Sequence, residues 1–320
     1  MANNLSSPNS PAITIANLGK KFGNFTAVYG LSMQINRGEV FGFLGPNGAG
    51  KTTTINMISG LSRATSGQIS FHDSPPGGKQ DIKTRIGICP QENIFWPKLT
   101  CLEQLRFMGE MYNLSRQAAA ARGKELLSLM GLDTKSNALA AKLSGGMKRR
   151  LNICLALVHD PDILILDEPE AGLDPQSRIL VRDFIKSLAK GKTVILTTHN
   201  MDEADRLSDR VAIIDHGKLL LLDTPANLKK SIGEGDVLEI TLDTHEQHTL
   251  DAVTGDLGAI CARIYDNGSA LILKANDLLQ KVPEITRIIT DRQLKINKIT
   301  LRENTLEDVF IHLTGRKLRE

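Results

Sequence analysis

Short apolar runs alternate with helix-like stretches over the first two thirds of the chain. Val40-Phe-Gly-Phe-Leu44 predicts a buried strand, and after a glycine-rich loop Thr52 to Ser59 predicts a helix. Between about Thr100 and Ala141 helix formers dominate, with apolar positions at Leu102, Leu105 and Met108, then Leu126, Leu127 and Met130, near helical spacing. Ile163 to Leu166 and Val194 to Leu196 are β-branched runs bounded by polar or turn residues, suited to parallel strands covered on both faces. Such alternation predicts an α/β domain.

Past Gly233 the texture changes. Asp236 to Leu242 and Ser269 to Lys274 alternate like half-buried strands, Asp277 to Ile289 reads as a helix, and Leu294 to Leu301 alternates again. Thr305 is placed to cap a last helix with Leu306, Val309, Phe310 and Leu313 on one face, and Gly315 to stop it. The expected organisation is a disordered leader over 1–11 and an α/β domain over 12–232 with a helical insert at about 100–158. A small α+β domain follows over 233–320.

Composition changes this picture little. Hydrophobic residues make up 41% and charged residues 23%, with 39 basic against 36 acidic side chains for a net +3. That balance gives no ground for a nucleic-acid partner. The basic run Lys148-Arg149-Arg150 reads as the polar face at a helix start. Cys89, Cys101, Cys154 and Cys261 form no CxxC pair, which argues against a zinc site or disulfide framework and fits a reducing compartment. The Asn-, Ser- and Pro-rich start lacks the apolar core of a signal peptide. No apolar stretch approaches the roughly 20 residues that span a bilayer, so a membrane role is expected to come through a partner.

Three motifs carry chemistry. Gly45-Pro46-Asn47-Gly48-Ala49-Gly50-Lys51-Thr52 fits G-x-x-x-x-G-K-[ST] between a predicted strand and a predicted helix. Its glycines let successive backbone N–H groups and the helix N-terminus, with Thr53 in the first turn, face phosphate. Lys51 adds positive charge for the β- and γ-phosphates, and the Thr52 hydroxyl is a ligand for Mg²⁺. Asp167-Glu168-Pro169 ends a predicted buried strand: one carboxylate is placed to hold Mg²⁺, partly through water, and the next to orient or deprotonate an attacking water. Leu143-Ser144-Gly145-Gly146-Met147 opens a helix whose free N–H groups and hydroxyl suit an anion, though alone it would pass for a helix cap.

In this order the three motifs resemble those of the ATP-binding subunits of ABC transporters, a likeness that spans nearly the whole chain. The resemblance implies a P-loop NTPase of the ABC type with an inserted helical subdomain, plus the small C-terminal domain. It assigns adenine stacking to Phe22, contact with Mg²⁺ and the attacking water to Gln91, the interface loop to Ala171-Gly-Leu-Asp174, and the γ-phosphate switch to His199. Taken singly, Phe22 in a core, Gln91 in a turn and His199 at a helix entry are the bland alternatives. It also implies two ATPs sandwiched head to tail, each held by one subunit's phosphate loop and by Ser144, Gly145 and Gly146 of a second, a homodimer being favoured. The resemblance makes Lys51, Gln91, Glu168 and His199 the expected catalytic residues, with Glu168 as general base.

Two departures stand out. Met147 replaces the glutamine of many members and cannot donate a hydrogen bond. Glu170 adds a negative charge close to the base. Thr305-Leu-Glu-Asp-Val-Phe310, Leu313-Thr-Gly315 and Lys148-Arg149-Arg150-Leu151 are similar to the export-type daunorubicin-resistance and multidrug group. That implies an ATPase docked through a separate integral-membrane permease on the cytoplasmic face of the membrane. Phe95, Trp96 and Pro97 lie where the family receives the permease, with burial of Trp96 against the helical insert as the alternative. The rival reading is a soluble ABC ATPase of translation or DNA maintenance. The first usually carries two cassettes in one chain, and the second long coiled coils that are missing between Lys51 and Leu143.

Overall fold

The computed structural model describes residues 10–72, 82–232, 236–243, 253–258, 260–261, 263–266, 270–275, 278–292 and 294–315. Of the expected leader, residues 1–9 lie outside these, as do Ser269 and Asp277. Pro11 is not leader: it opens strand β1 (Pro11–Phe22), opposite Asn36, at the strand-start position where a missing N–H is tolerated. The chain divides into two compact units after Pro225, upstream of the change in texture at Gly233.

The first unit is built on a six-stranded sheet in the order β5-β6-β7-β3-β8-β9. Strands β3 (Val40–Leu44), β5 (Ile86–Cys89), β6 (Ile163–Asp167), β7 (Thr193–Thr198) and β8 (Arg210–Asp215) run parallel, and β9 (Lys218–Asp223) is antiparallel. The unbroken apolar runs follow from this position. In β6, Leu164 and Leu166 enter a core shared with the helices, while Ile163 and Ile165 enter a second core on the other face. That second core is closed by α1 (Lys51–Ile58) and by an antiparallel sheet in the order β2-β1-β4, with β2 spanning Phe25–Asn36 and β4 Ser66–Phe71.

After α2 (Ile82–Arg85) and β5, the first core is filled by α3 (Cys101–Met111), α4 (Arg116–Leu129) and α5 (Gly145–Leu157). Each begins where its sequence provides a cap: Thr100 and Glu103 close a reciprocal capping box on α3, Ser115 caps α4, and Ser144 accepts from the Met147 N–H on α5. Asp174 caps α6 (Pro175–Leu188), which carries Pro at its first turn, and Asn200 caps α7 (Met201–Leu207).

The second unit begins with most of α8 (Pro225–Ser231) and holds a four-stranded antiparallel sheet, β11-β12-β10-β13. Its strands are β10 (Asp236–Leu242), β11 (Arg263–Asp266), β12 (Leu271–Ala275) and β13 (Ile296–Arg302). Strand β12 is not half-buried as its alternation suggests. Leu271 and Leu273 pack with Ile285 and Ile289 of the helix Leu278–Asp291, and Ile272 and Lys274 are buried as well. Lys274 sits there because its Nζ donates to the Ile232 carbonyl at 2.8 Å.

The last helix, Leu306–Thr314, starts with a Thr305–Asp308 capping box and ends at Gly315. Buried Asp308 also accepts two hydrogen bonds from Arg302, at 2.6 and 3.1 Å, so the Thr-Leu-Glu-Asp run fastens the helix to β13. Leu306, Val309 and Phe310 are buried as expected, but Leu313, one turn from the end, is 38% exposed.

Candidate functional site

Gly50 ends the phosphate loop at φ 100°, a left-handed conformation that lets α1 begin at Lys51. A Cβ there would also lie 2.7 Å from the Ala27 carbonyl, so only glycine fits between the loop and β2. The Lys51 ammonium turns back on its own loop, donating to the carbonyls of Gly45 at 2.7 Å and Pro46 at 3.1 Å. Burial pulls the Lys51 pKa below its ordinary value, while Glu168 and Asp167 oppose that pull.

The loop lines a cavity of about 220 Å³ together with Phe25, Ala27, Gln91 and Glu168. Asn47, Gly48, Ala49, Gly50, Lys51, Thr52 and Thr53 all contribute to its wall. The first turn of α1 presents amides that have no partner within the helix, so loop and helix end form an anion cradle.

Asp167, the last residue of β6, faces the Thr52 hydroxyl at 3.4 Å and takes a hydrogen bond from Thr197 of the neighbouring strand. A hydroxyl and a carboxylate side by side are oxygen donors of the kind Mg²⁺ takes, with waters and phosphate oxygens completing the shell. No cluster of three or more His, Cys, Asp or Glu ligands is found among the described residues. The Thr52 hydroxyl and the Asp167 carboxylate fit a hard cation.

Glu168 leaves the strand at φ 51°, a left-handed backbone unusual for a non-glycine residue, fastened by its N–H to the Thr197 carbonyl at 3.1 Å. Its carboxylate lies between two donors. Gln91 Nε2 reaches Oε2 at 3.1 Å and His199 Nδ1 reaches Oε1 at 2.7 Å. Since an ionised carboxylate only accepts, Nδ1 carries the proton in this contact. A carboxylate oriented from both sides and set beside the phosphate cradle is equipped to take a proton from water.

Arg149 was not visible in the sequence as part of this site. It is 3% exposed, so the basic triplet is not a polar face. Its guanidinium donates to the backbone carbonyls of Pro90 and Gln91 on one side and of Asp167, Glu168 and Pro169 on the other. One side chain of α5 thereby ties the glutamine segment to the carboxylate segment. The available signal was helical phase: Gly146, Arg149 and Ile153 fall three and four apart on one buried stripe.

Glu170 also departs from expectation. It is buried, and Arg182 grips its two oxygens at 3.0 and 2.8 Å, so its charge is largely compensated. Met147 packs its side chain against the helical core while its N–H serves the Ser144 cap.

Ser144 and Gly145 are exposed, and the signature residues 144–146 do not line the cavity of their own phosphate loop. Gly146 is instead buried against the start of α6: a Cβ would lie 3.1 Å from Ser177 Oγ and 3.3 Å from Asp174 Oδ2. Phe22 is 54% exposed at the end of the β1–β2 hairpin, with Lys20 Nζ 4.8 Å from its ring centroid. Its cross-strand partner Phe25, 66% exposed, is the aromatic that lines the cavity. The Phe-Gly-Asn-Phe turn in the sequence carried that information.

A second cavity, about 360 Å³, is lined by Leu61, Ile94, Trp96, Met108, Tyr112 and His159 among others. Trp96 packs edge-on against Phe107 of α3 at 5.1 Å yet stays 37% exposed. No helix among the described residues is long and apolar enough to cross a membrane.

Residues 28–171 match the family model described as ABC transporter. The chain is 39% identical over 312 residues to Nod factor export ATP-binding protein I of Burkholderia lata, covering 96% of this chain and 98% of that one. It is 37% identical to linearmycin resistance ATP-binding protein LnrL of Bacillus subtilis, covering 95% and 98%. Among solved structures, an ATP-binding subunit of an ABC transporter superposes with TM-score 0.63 at 27% identity, over 69% of this chain and 93% of that one. CbiO1 of Clostridium perfringens, part of the transporter complex cbiONQ, gives 0.62 at 26% identity, over 78% and 97%. The chain belongs to the ABC transporter family, as an ATP-binding subunit that hydrolyses ATP.

Proposed function

We propose that this chain powers export of a substrate through a separate membrane permease, working as a homodimer on the cytoplasmic face of the membrane. The placing of Glu168 between Gln91 and His199 beside the phosphate loop is the observation that carries the catalytic part. The exporter part is supported by relatives named for export and for drug resistance, alignable over nearly the full chain.

In this reading Phe22 stacks on adenine, and residues 45–53 hold the phosphates. Lys51 exchanges its two loop carbonyls for phosphate oxygens. Mg²⁺, held by Thr52, Asp167 and Gln91, would neutralise charge on the phosphates. Glu168 accepts the proton of the attacking water, and His199 is the switch residue that contacts the γ-phosphate. Ser144, Gly145 and Gly146 of a second copy complete the anion site, which fits the exposure of Ser144 and Gly145 away from their own loop. Residues 233–320 act as an accessory domain. Ile94 and Trp96 line the groove that receives the permease.

The test combines two measurements. A Glu168→Gln variant should lose ATP turnover by at least about a hundredfold and accumulate as an ATP-bound dimer in light scattering. A tagged wild-type chain drawn from detergent-solubilised membranes should bring a multi-span membrane protein with it. A Glu168→Gln protein that hydrolyses normally would sink the catalytic assignment. Recovery of ribosomes or DNA-repair proteins instead would sink the transport assignment.

A further inference from the structure

Glu203 is a buried carboxyl that the catalytic scheme leaves unused. It lies in the first turn of α7, directly after the loop that carries His199. Its Oε2 accepts the Thr198 hydroxyl at 2.6 Å, and the same Thr198 oxygen accepts the Asn200 N–H at 2.9 Å. Asn200 Oδ1 in turn accepts the Glu203 N–H at 3.1 Å. His199 is thus bracketed by three linked hydrogen bonds among Thr198, Asn200 and Glu203, one of them made by the Glu203 carboxyl, while its own Nδ1 reaches Glu168.

The same carboxyl faces the other half of the site. The backbone amide of Glu170, two residues after the proposed base, approaches it. Its Oε1 is buried without a hydrogen-bond partner. The charged groups around it are Glu168 and Glu170 on the carboxylate segment and Arg182 on α6.

We propose that Glu203 is a positioning residue for ATP hydrolysis, locking the His199 loop at the distance from Glu168 that the reaction uses. The inference rests on the proposed roles of His199 and Glu168. Burial, reinforced by Glu170 and Glu168, pushes the Glu203 pKa up to about 7, so a neutral carboxyl fills the position for part of the population at neutral pH. Glutamine is then the conservative replacement: it is always neutral and keeps an oxygen for the Thr198 hydroxyl.

The experiment is steady-state ATP hydrolysis by the full chain carrying Glu203→Ala, Glu203→Gln, Thr198→Val or the Ala/Val pair, each checked for folding by thermal melting. Glu203→Ala should lower kcat at least about tenfold with KM for ATP within about twofold, because the phosphate loop is untouched while the aim of His199 is lost. Glu203→Gln should keep most of kcat, and Thr198→Val should match the alanine variant. The pair should be no worse than either single change, since both cut one linkage.

A kcat at the wild-type level in folded Glu203→Ala would overturn the proposal, as would additive losses in the pair or a glutamine variant as impaired as alanine. Should Glu203→Ala fail to fold, Thr198→Val decides, with retained kcat counting against the linkage. His199→Ala and Glu168→Gln are the controls. If they lose hydrolysis and Glu203→Ala does not, only this inference falls. If they retain it, the reading of the site falls and takes the inference with it.

Discussion

Arg149 places one guanidinium among five carbonyl oxygens in the interior, and no other side chain could serve that geometry. Arg149→Met keeps the stem and removes every donor, leaving buried acceptors unpaired. The expected cost is about 3 kcal/mol or more, read as a fall in the urea midpoint at unchanged m. ATP turnover should fall with it, because the glutamine and carboxylate segments are no longer held together.

Glu203 offers a second residue-scale prediction, from linkage. Its pKa is raised from 4.5 to about 7 in the folded protein, so the folded state holds a proton that the unfolded chain has already released. Stability from this group is therefore complete below about pH 4.5 and declines as pH rises through about 7. Glu203→Gln, which cannot ionise, should show a flatter decline in melting temperature between pH 5 and 8 than the wild type. An identical slope would show that the carboxyl does not titrate there.

These residues also mark what the sequence could reveal. Lys51, Asp167 and Glu168 were legible because their chemistry sits inside a spaced motif. Arg149 and Glu203 were not, because their role depends on which helical face turns inward, and a charged residue reads as exposed until its partners are known. Phe25 was missed for a related reason: cross-strand pairing, rather than spacing to a motif, puts it beside the loop.

At the scale of elements, the β8–β9 turn holds the phosphate loop from behind. The Gly217 N–H donates to the Ala49 carbonyl at 2.9 Å, and its carbonyl accepts the Tyr29 N–H at 2.8 Å, so the turn stitches the loop to β2. Gly217 has φ 72°, and a Cβ there would fall 2.4 Å from the Ala27 carbonyl. Gly217→Ala must therefore push the turn away from the loop. KM for ATP should rise roughly tenfold, equivalent to about 1.4 kcal/mol of binding, with a smaller change in kcat. An unchanged KM in a folded variant would show that the loop holds its own shape. Strand identity in this unit was readable because each apolar run feeds two cores at once. In the second unit β12 read as half-buried, since the hydrogen bond that makes Lys274 tolerable inside comes from Ile232, more than forty residues away in sequence.

For the whole molecule, the proposed division of labour separates the nucleotide cavity from the groove at Trp96, and the two share no lining residue. The link between them is the segment Pro90–Trp96. Gln91 lines the nucleotide cavity and bonds Glu168, whereas Pro90, Ile94 and Trp96 line the groove. Arg149 grips the carbonyls of Pro90 and Gln91 in between. A permease element seated in the groove would press on the same short segment that orients the proposed base, which is a physical route for coupling. Trp96→Ala tests this route. The ring is partly exposed and touches Phe107, so its loss should leave folding and the basal ATP turnover of the isolated chain near wild type. Co-purification with the permease should drop several-fold, and any stimulation of ATP turnover by the permease should drop with it. If stimulation survived at full strength in the variant, the groove would have to be replaced by another surface as the point of contact.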